Sequence, residues 1–499
     1  MSARRCLLLA SIGIAWAGAD LFAAEGPAES PKPWNVLFLS ADDWRPDLAC
    51  YGTPGMITPN LDHLAEGGVR FDRAYCQFPV CNPSRASMLT GCYANQTGVV
   101  FNGTRLRDLH PDWVTLPELF KQHGYVTANA GKIFHGKIPD PQSWTEQVPE
   151  AVPREYRRTS AAKTAAANKP GDGDDESSGA PGARYVILEG NGESDKDYHI
   201  AEAGIRLLEK YKDQPFFIGV GFHRPHAVPT APQRFYDMYD LAKIPLPVDF
   251  APGPKLPIGI PNVALPESND TYMSGAEVTP DVAREVIRAY RASASWTDWN
   301  MGRVLEALER LGLADRTIVV FHGDHGYHNG EKGRWGKTTV FDIALRVPLI
   351  IRAPRFAAAG QACERTVQLI DLYPTLAQLC ELPLPTSVPT QSIQGHSLVP
   401  LLRCPRAAWD HPAFSMAKTG GGPLGYSVCT ERWHYAEWNH GEDGAVLFDN
   451  LSDPHELKNL ADDPKQAERV VEMKKLLEQT FGTMPVRLPK PTTTTSTGS

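Results

Sequence analysis

Short apolar runs alternate along this chain with longer amphipathic stretches, and that alternation limits the possible folds more than any other feature. "NVLFLS" (35–40), "YVTANA" (125–130), "PFFIGVGF" (215–222) and "TIVVFH" (317–322) are continuous apolar segments of strand length. That is the pattern of parallel strands buried on both faces. A fifth run, "VPLIIRAP", spans 347–354. Helical periodicity fills the gaps in "PNLDHLAEGG", "LPELFKQHG", "IAEAGIRLLEKYK" and the long "VAREVIRAYRASASWTDWNMGRVLEALERLG". Strand and helix in turn predict an α/β fold, a large and mostly parallel β-sheet sandwiched by helices. After "HSLVPLLRCP" (396–405) the pattern changes to short strands, "PAFSMA", "GYSVCT", "WHYAEW" and "AVLFDN", followed by the helix "AERVVEMKKLLEQTF". These predict a smaller C-terminal subdomain with a short antiparallel sheet and a helix.

The expected organisation is a leader at 1–24, a catalytic domain at 25–404, a subdomain at 405–488 and a disordered tail at 489–499. Residues 154–185 are poor in apolar side chains and rich in Ala, Gly, Ser and charge, which reads as an exposed insertion. In the leader, two arginines precede a short apolar run and small residues follow near Ala19 and Ala24, the pattern of a secretory signal peptide. The competing reading, a membrane anchor, needs a longer apolar stretch. Elsewhere no run is long and apolar enough for a stable membrane span, so export to the periplasm or cell exterior is expected. A formal net charge of −8 offers no basic surface for nucleic acid. The nine cysteines (6, 50, 76, 81, 92, 363, 380, 404 and 429) have no compact spacing that reads as a disulfide framework or zinc site.

Open α/β sheets bind ligands beyond the carboxyl ends of their strands. Asp42 and Asp43 follow the first predicted strand, Lys132 and His135 the second, His223 the third, and Asp324 and His325 the fourth. Each alone has a plain explanation, since Asp-Asp after a strand is a common turn or helix cap. Together they converge on one edge. Adjacent carboxylates from one strand and a third from another form a hard-oxygen pocket suited to Ca²⁺ or Mg²⁺. Arg85, Lys132 and Lys337 would face an anion held there.

Cys81, in "VCNPSRASMLTG" (80–91), precedes a Pro placed for the first turn of a helix. The helix dipole is then expected to lower the thiol's pKa. A core residue or half of a disulfide would account for the cysteine but not for the Pro-Ser-Arg behind it. A nucleophilic thiolate and a modified cysteine remain.

"CNPSRASMLTG" (81–91) resembles the signature of type I sulfatases of the alkaline-phosphatase-like superfamily. "NVLFLSADDWRPDLACYG", "GYVTANAGKIFHG", "GVGFHRPH" and "HGDHGYHNGEKGRWGK" stand in the same order as in that family. The likeness is greatest to iduronate-2-sulfatases and to related bacterial polysaccharide sulfatases. It implies a sulfated sugar or polysaccharide fragment as substrate. It also implies conversion of Cys81 to formylglycine (3-oxoalanine) by a maturation enzyme, and Ca²⁺ surrounded by Asp42, Asp43, Asp324, His325 and the modified Cys81. Arg85 would position the modified side chain. Lys132 and His135 would contact the aldehyde hydrate and the sulfate, and His223 and Lys337 would hold the sulfate and face the leaving oxygen. Asn102, Trp438 and His440 would approach the sugar. Two departures stand out: Cys429 occupies a position where related sequences carry Arg, and "HNGE" (328–331) replaces a more apolar version of that turn. The alternatives are a phosphonate monoester or phosphodiester hydrolase of the same superfamily, and a non-catalytic glycan-binding homologue that keeps its thiol.

Overall fold

Eight strands form the central sheet: β1 (Asn35–Asp42), β2 (Val69–Tyr75), β3 (Val126–Gly131), β4 (Glu146–Val148), β5 (Phe216–Pro225), β6 (Thr317–Gly323), β7 (Arg346–Arg352) and β8 (Gln361–Gln368). They lie in the order β8-β2-β7-β6-β1-β5-β3-β4. This computed structural model describes residues 33–482 except 137, 154–155, 157–162, 167–182, 268, 270–272, 274–277, 387 and 420–421. The predicted leader, most of the predicted insertion at 154–185 and the predicted tail lie outside the described residues.

The alternation of strand and helix holds. β1 pairs in parallel with β5 and β6, and β3 with β5 and β4. β7, read as one more strand of the parallel set, instead runs antiparallel to both neighbours. A strand buried on both faces has the same composition whichever way it points, so the apolar run carried no directional information. β2 and β8 were not expected at all. Their sequences, VRFDRAY and QACERTVQ, mix charge with apolar residues because both strands are only half-buried.

Successive residues of β1 point to opposite faces. Val36 and Phe38 join Phe217, Ile318 and Val320 in one core, against Ala86, Met88 and Leu89 of the helix after β2 and Leu372 and Leu376 further on. Leu37 and Leu39 join Ile218, Val220 and Phe321 in the other, against Leu207, Leu208, Met301 and Val304. The helices covering the sheet include α1 (Pro59–Glu66), α2 (Cys81–Thr90), α3 (Leu116–Gln122), α4 (Lys196–Tyr211) and the long α5 (Pro280–Arg310). Pro280 at the start of α5 and a Thr279 side chain accepting from the Val282 N–H set its N-terminus.

Strands β9 (Ala413–Lys418), β10 (Leu424–Cys429), β11 (Trp433–Trp438) and β12 (Ala445–Asp449) form the expected antiparallel sheet in sequential order. Helix α6 (Ala467–Phe481) covers one face through Met473 and Leu477, with Val428, Tyr435 and Leu447. Among the described residues, no helix is long and apolar enough to cross a membrane.

Candidate active site

The carboxyl ends of β1 and β6 and the N-terminus of α2 meet at one buried point. β1 ends in Asp42, and Asp43 follows in the left-handed region (φ 58°). That sparsely populated conformation is held from both sides. The Asp43 N–H donates to Asp324 Oδ1 at 3.0 Å, and the Tyr290 hydroxyl donates to the Asp43 carbonyl at 2.8 Å. Helix α2 begins at Cys81, as its Pro-Ser-Arg predicts. The thiol donates to Asp42 Oδ1 at 3.1 Å, lies 3.4 Å from His325 Nε2, and accepts from Lys337 Nζ at 3.2 Å. Lys337 also reaches Asp43 Oδ1 at 2.7 Å, and Lys132 Nζ lies 2.5 Å from Asp42 Oδ2. Arg85, only 1% exposed, donates through Nε to Asp324 Oδ2 at 3.0 Å and through Nη1 to the carbonyls of Lys132 and Ile133. Its fork ties α2 to the ends of β3 and β6.

Lys132 is delivered by a close approach of two backbones. Gly131 (φ 79°) and Gly221 face one another, and a Cβ on Gly131 would strike the Gly221 carbonyl oxygen. That oxygen accepts from the Lys132 N–H at 2.7 Å. Gly131→Ala is therefore expected to destabilise the fold by about 2–5 kcal/mol, combining left-handed strain with overpacking, and to lower activity by displacing Lys132. Urea unfolding and an activity assay check this, and a variant within 1 kcal/mol of wild type contradicts it.

Atoms of Asp42, Cys81, Asp324 and His325 lie within 4.8 Å of one another, as do those of the overlapping set Asp42, Asp43, Cys81 and His226. Burial by itself would raise the Asp42 carboxyl, but Lys132, His226, Arg85 and Lys337 outweigh it and hold it well below the usual range. Asp43 is lowered in the same way, burial being overcome chiefly by His226 and Lys337. Asp324 is pushed up by burial and by the neighbouring Asp42. Burial opposes the Lys337 ammonium, yet Asp43 and Cys81 raise its pKa well above the ordinary value. Cys81 corrects an expectation. Its thiol is raised well above the ordinary value, first by burial and then by Asp42, so the dipole at the start of α2 does not yield a thiolate.

The other predicted residues divide. His223 turns its ring to Glu150, donating from Nε2 at 2.7 Å, and its N–H is held by Asp197. His226, three residues on, faces the cluster, with Nε2 3.8 Å from Asp43 Oδ2. Reading the sequence passed over His226 although "GFHRPH" contains both histidines. His135 is buried just beyond β3. Asn102 caps α2, its Oδ1 accepting from the Asn82 N–H at 3.1 Å. Trp438 is fully buried among Val340, Phe341 and Phe448, so its ring has no surface to offer a sugar. His440 sits in a left-handed turn whose carbonyl accepts from Lys474. Cys429 is buried beside His434 rather than lying where a sugar could reach it. Among the described cysteines none forms a disulfide.

The family model described as Sulfatase matches residues 34–382. The chain belongs to the sulfatase family. A second family model, N-sulphoglucosamine sulphohydrolase, C-terminal, matches 330–482. This sulfatase is 32% identical to iduronate 2-sulfatase of Mus musculus over 516 residues, covering 87% of this chain and 90% of the relative. It is 30% identical to a sulfatase of Formosa agariphila over 473 residues, covering 91% and 88%. Its fold matches that of a protein solved in complex with its substrate D-glucosamine-2-N,6-O-disulfate, with a TM-score of 0.71, 24% identity and coverage of 92% and 100%. It also matches that of a phosphonate monoester hydrolase from Silicibacter pomeroyi, with a TM-score of 0.72, 23% identity and coverage of 91% and 96%.

Proposed function

We propose that this sulfatase hydrolyses a sulfate ester of a carbohydrate, with Cys81 oxidised to formylglycine and Ca²⁺ held by Asp42, Asp43, Asp324 and His325. The observation that carries the reading is the convergence on Cys81 Sγ of a carboxylate, an imidazole and an ammonium within 3.4 Å. The relatives support the substrate class, since one is an iduronate 2-sulfatase and one fold neighbour was solved with a sulfated glucosamine as its substrate.

The residues fit both groups. Two overlapping buried sets, Asp42, Cys81, Asp324 and His325, and Asp42, Asp43, Cys81 and His226, bring three carboxylates together with imidazole, a donor set that a divalent cation would balance. The Cys81 thiol, held neutral, is a poor nucleophile but stands where an oxygen would meet the same three partners. When present, the cation would neutralise sulfate oxygens and the hydrated aldehyde would supply the attacking hydroxyl. The chain's own side chains do the rest. Lys337, kept cationic by Asp43, donates to a sulfate oxygen, as does Lys132. Arg85 holds Asp324 and the end of β3 in place. His226, beside Asp43, takes the place expected of His223 at the departing sugar oxygen and donates a proton there, and His135 acts as the base. Cys81 is 1% exposed, so a maturation enzyme would reach it only before the chain folds. Export, with removal of residues 1–24, completes the reading.

Two outcomes test it. His226→Gln is expected to lower kcat about 10²–10⁴-fold on a poor leaving group and much less on an activated aryl sulfate. His223→Gln is expected to change stability more than kcat. The reverse ranking sinks the assignment. Dialysis against a chelator is expected to abolish turnover and added Ca²⁺ to restore it, and activity that survives chelation contradicts the metal assignment. The fold shared with phosphonate monoester hydrolases defines the competing reading. Turnover of an aryl phosphonate above that of the matching aryl sulfate would favour it.

A further inference from the structure

Lys337 reaches the proposed catalytic centre from a turn whose backbone its own sequence disfavours. The hairpin before it pairs His328 with Gly336 and Asn329 with Trp335, and Thr338 follows Lys337 with φ 71°. Threonine is uncommon in the left-handed region, where a branched Cβ crowds the backbone. Such a conformation persists only where its surroundings hold it.

The groups that hold this turn come from two parts of the chain. The Lys337 carbonyl accepts from Arg334 Nη2 at 3.1 Å and from the Thr338 hydroxyl at 2.5 Å. One residue further on, Thr339 Oγ1 lies 2.8 Å from His328 Nε2. These contacts are local to the hairpin. The Thr338 carbonyl instead accepts from Thr419 Oγ1 at 3.1 Å. Thr419 is 5% exposed and stands just beyond β9, in the small C-terminal sheet's part of the chain. The same sheet supports the residues that follow. Ala417 of β9 and Ala436 and Trp438 of β11 pack with Val340 and Phe341. Trp438, which has no surface for a sugar, thus helps to seat the segment that carries Lys337.

The consequence is geometric. The Lys337 side chain is 12% exposed, and its Nζ spans from this turn to Asp43 Oδ1 at 2.7 Å and Cys81 Sγ at 3.2 Å. A side chain that fully engaged follows its backbone, and a small misplacement of a charged group at a reacting centre is costly. Without the Thr419 hydroxyl, the Thr338 carbonyl loses that donor and the left-handed backbone loses a restraint. We propose that Thr419 is a positioning residue for the reaction, acting through the Thr338 backbone to hold Lys337 against Cys81. The proposal rests on the role given to Lys337 above.

The test uses steady-state turnover of an aryl sulfate by the full chain. Circular dichroism checks the fold of each variant, and mass spectrometry of the Cys81 peptide checks equal maturation. Thr419→Val, which keeps the shape and removes the hydroxyl, is expected to lower kcat/KM about tenfold. Thr419→Ser, which keeps the hydroxyl, should stay within about twofold of wild type. If the valine variant does not fold, Thr419→Ala carries the same expectation. The decisive arm is the Lys337→Met background, followed with an activated aryl sulfate at raised enzyme concentration. There the loss of the Thr419 hydroxyl should cost less than about twofold, because the group it positions is gone. Wild-type turnover in Thr419→Val, an equal loss in Thr419→Ser, or the same tenfold loss with and without Lys337 overturns the proposal. Failure of Lys337→Met itself to lower turnover would instead overturn the role given to Lys337 in the proposed function.

Discussion

Cys81→Ser is expected to fold like the wild type and to lose aryl sulfate turnover by at least about 10³-fold. The fold should survive because serine is smaller, tolerates the start of a helix, and can keep a hydrogen bond to Asp42 where the thiol now donates at 3.1 Å. The activity should not, because the proposal needs two hydroxyls on one carbon and a serine offers one. Circular dichroism and thermal unfolding establish the fold, and mass spectrometry of the Cys81 peptide distinguishes aldehyde from thiol in the parent enzyme. Near-wild-type turnover in the variant, or full activity in a sample carrying only thiol, rules out the aldehyde. The raised pKa of Cys81 already argues against a thiolate nucleophile in its place.

Arg85→Leu carries the second large effect, and on stability as well as activity. The guanidinium is fully buried and lies 3.0 Å from Asp324 Oδ2 and 4.0 Å from Asp42 Oδ1. Removing it leaves two buried carboxylates and the carbonyls of Lys132 and Ile133 without that donor. Breaking a buried pair in this way costs about 3–5 kcal/mol. Arg85→Lys should recover only part of the loss, because an ammonium cannot span the fork that joins Asp324 to the end of β3. Urea unfolding should be run with chelator and with excess Ca²⁺. If the carboxylates hold a cation, calcium should narrow the gap between variant and wild type. A loss below about 1 kcal/mol under both conditions would mean that Arg85 does not hold the site together.

His223 and His226 are three residues apart in one motif, and nothing in "GFHRPH" says which faces the pocket. Glu150, from a distant part of the chain, engages the His223 ring, and Asp197 holds its backbone N–H. The family resemblance implied that Trp438 approaches the sugar. It instead fills the contact between the small sheet and Val340 and Phe341. Arg85, expected to position the nucleophile, braces the strand ends around it. Asn329 shows as a departure in the sequence, but that its amide is buried without a partner is visible only in the fold.

By itself the sequence determined the properties set by neighbours along the chain. These are the alternation of strands and helices, the start of α2 at Cys81, the donors at the strand ends and the antiparallel C-terminal sheet. Periodicity and helix-start chemistry act over a few residues and can be read there. The direction of β7, the acidity of the Cys81 thiol and the placement of His226 against Asp43 were decided by the tertiary structure alone. Each depends on burial and charge supplied by groups far apart in sequence, and these exist only after the sheet has brought them together.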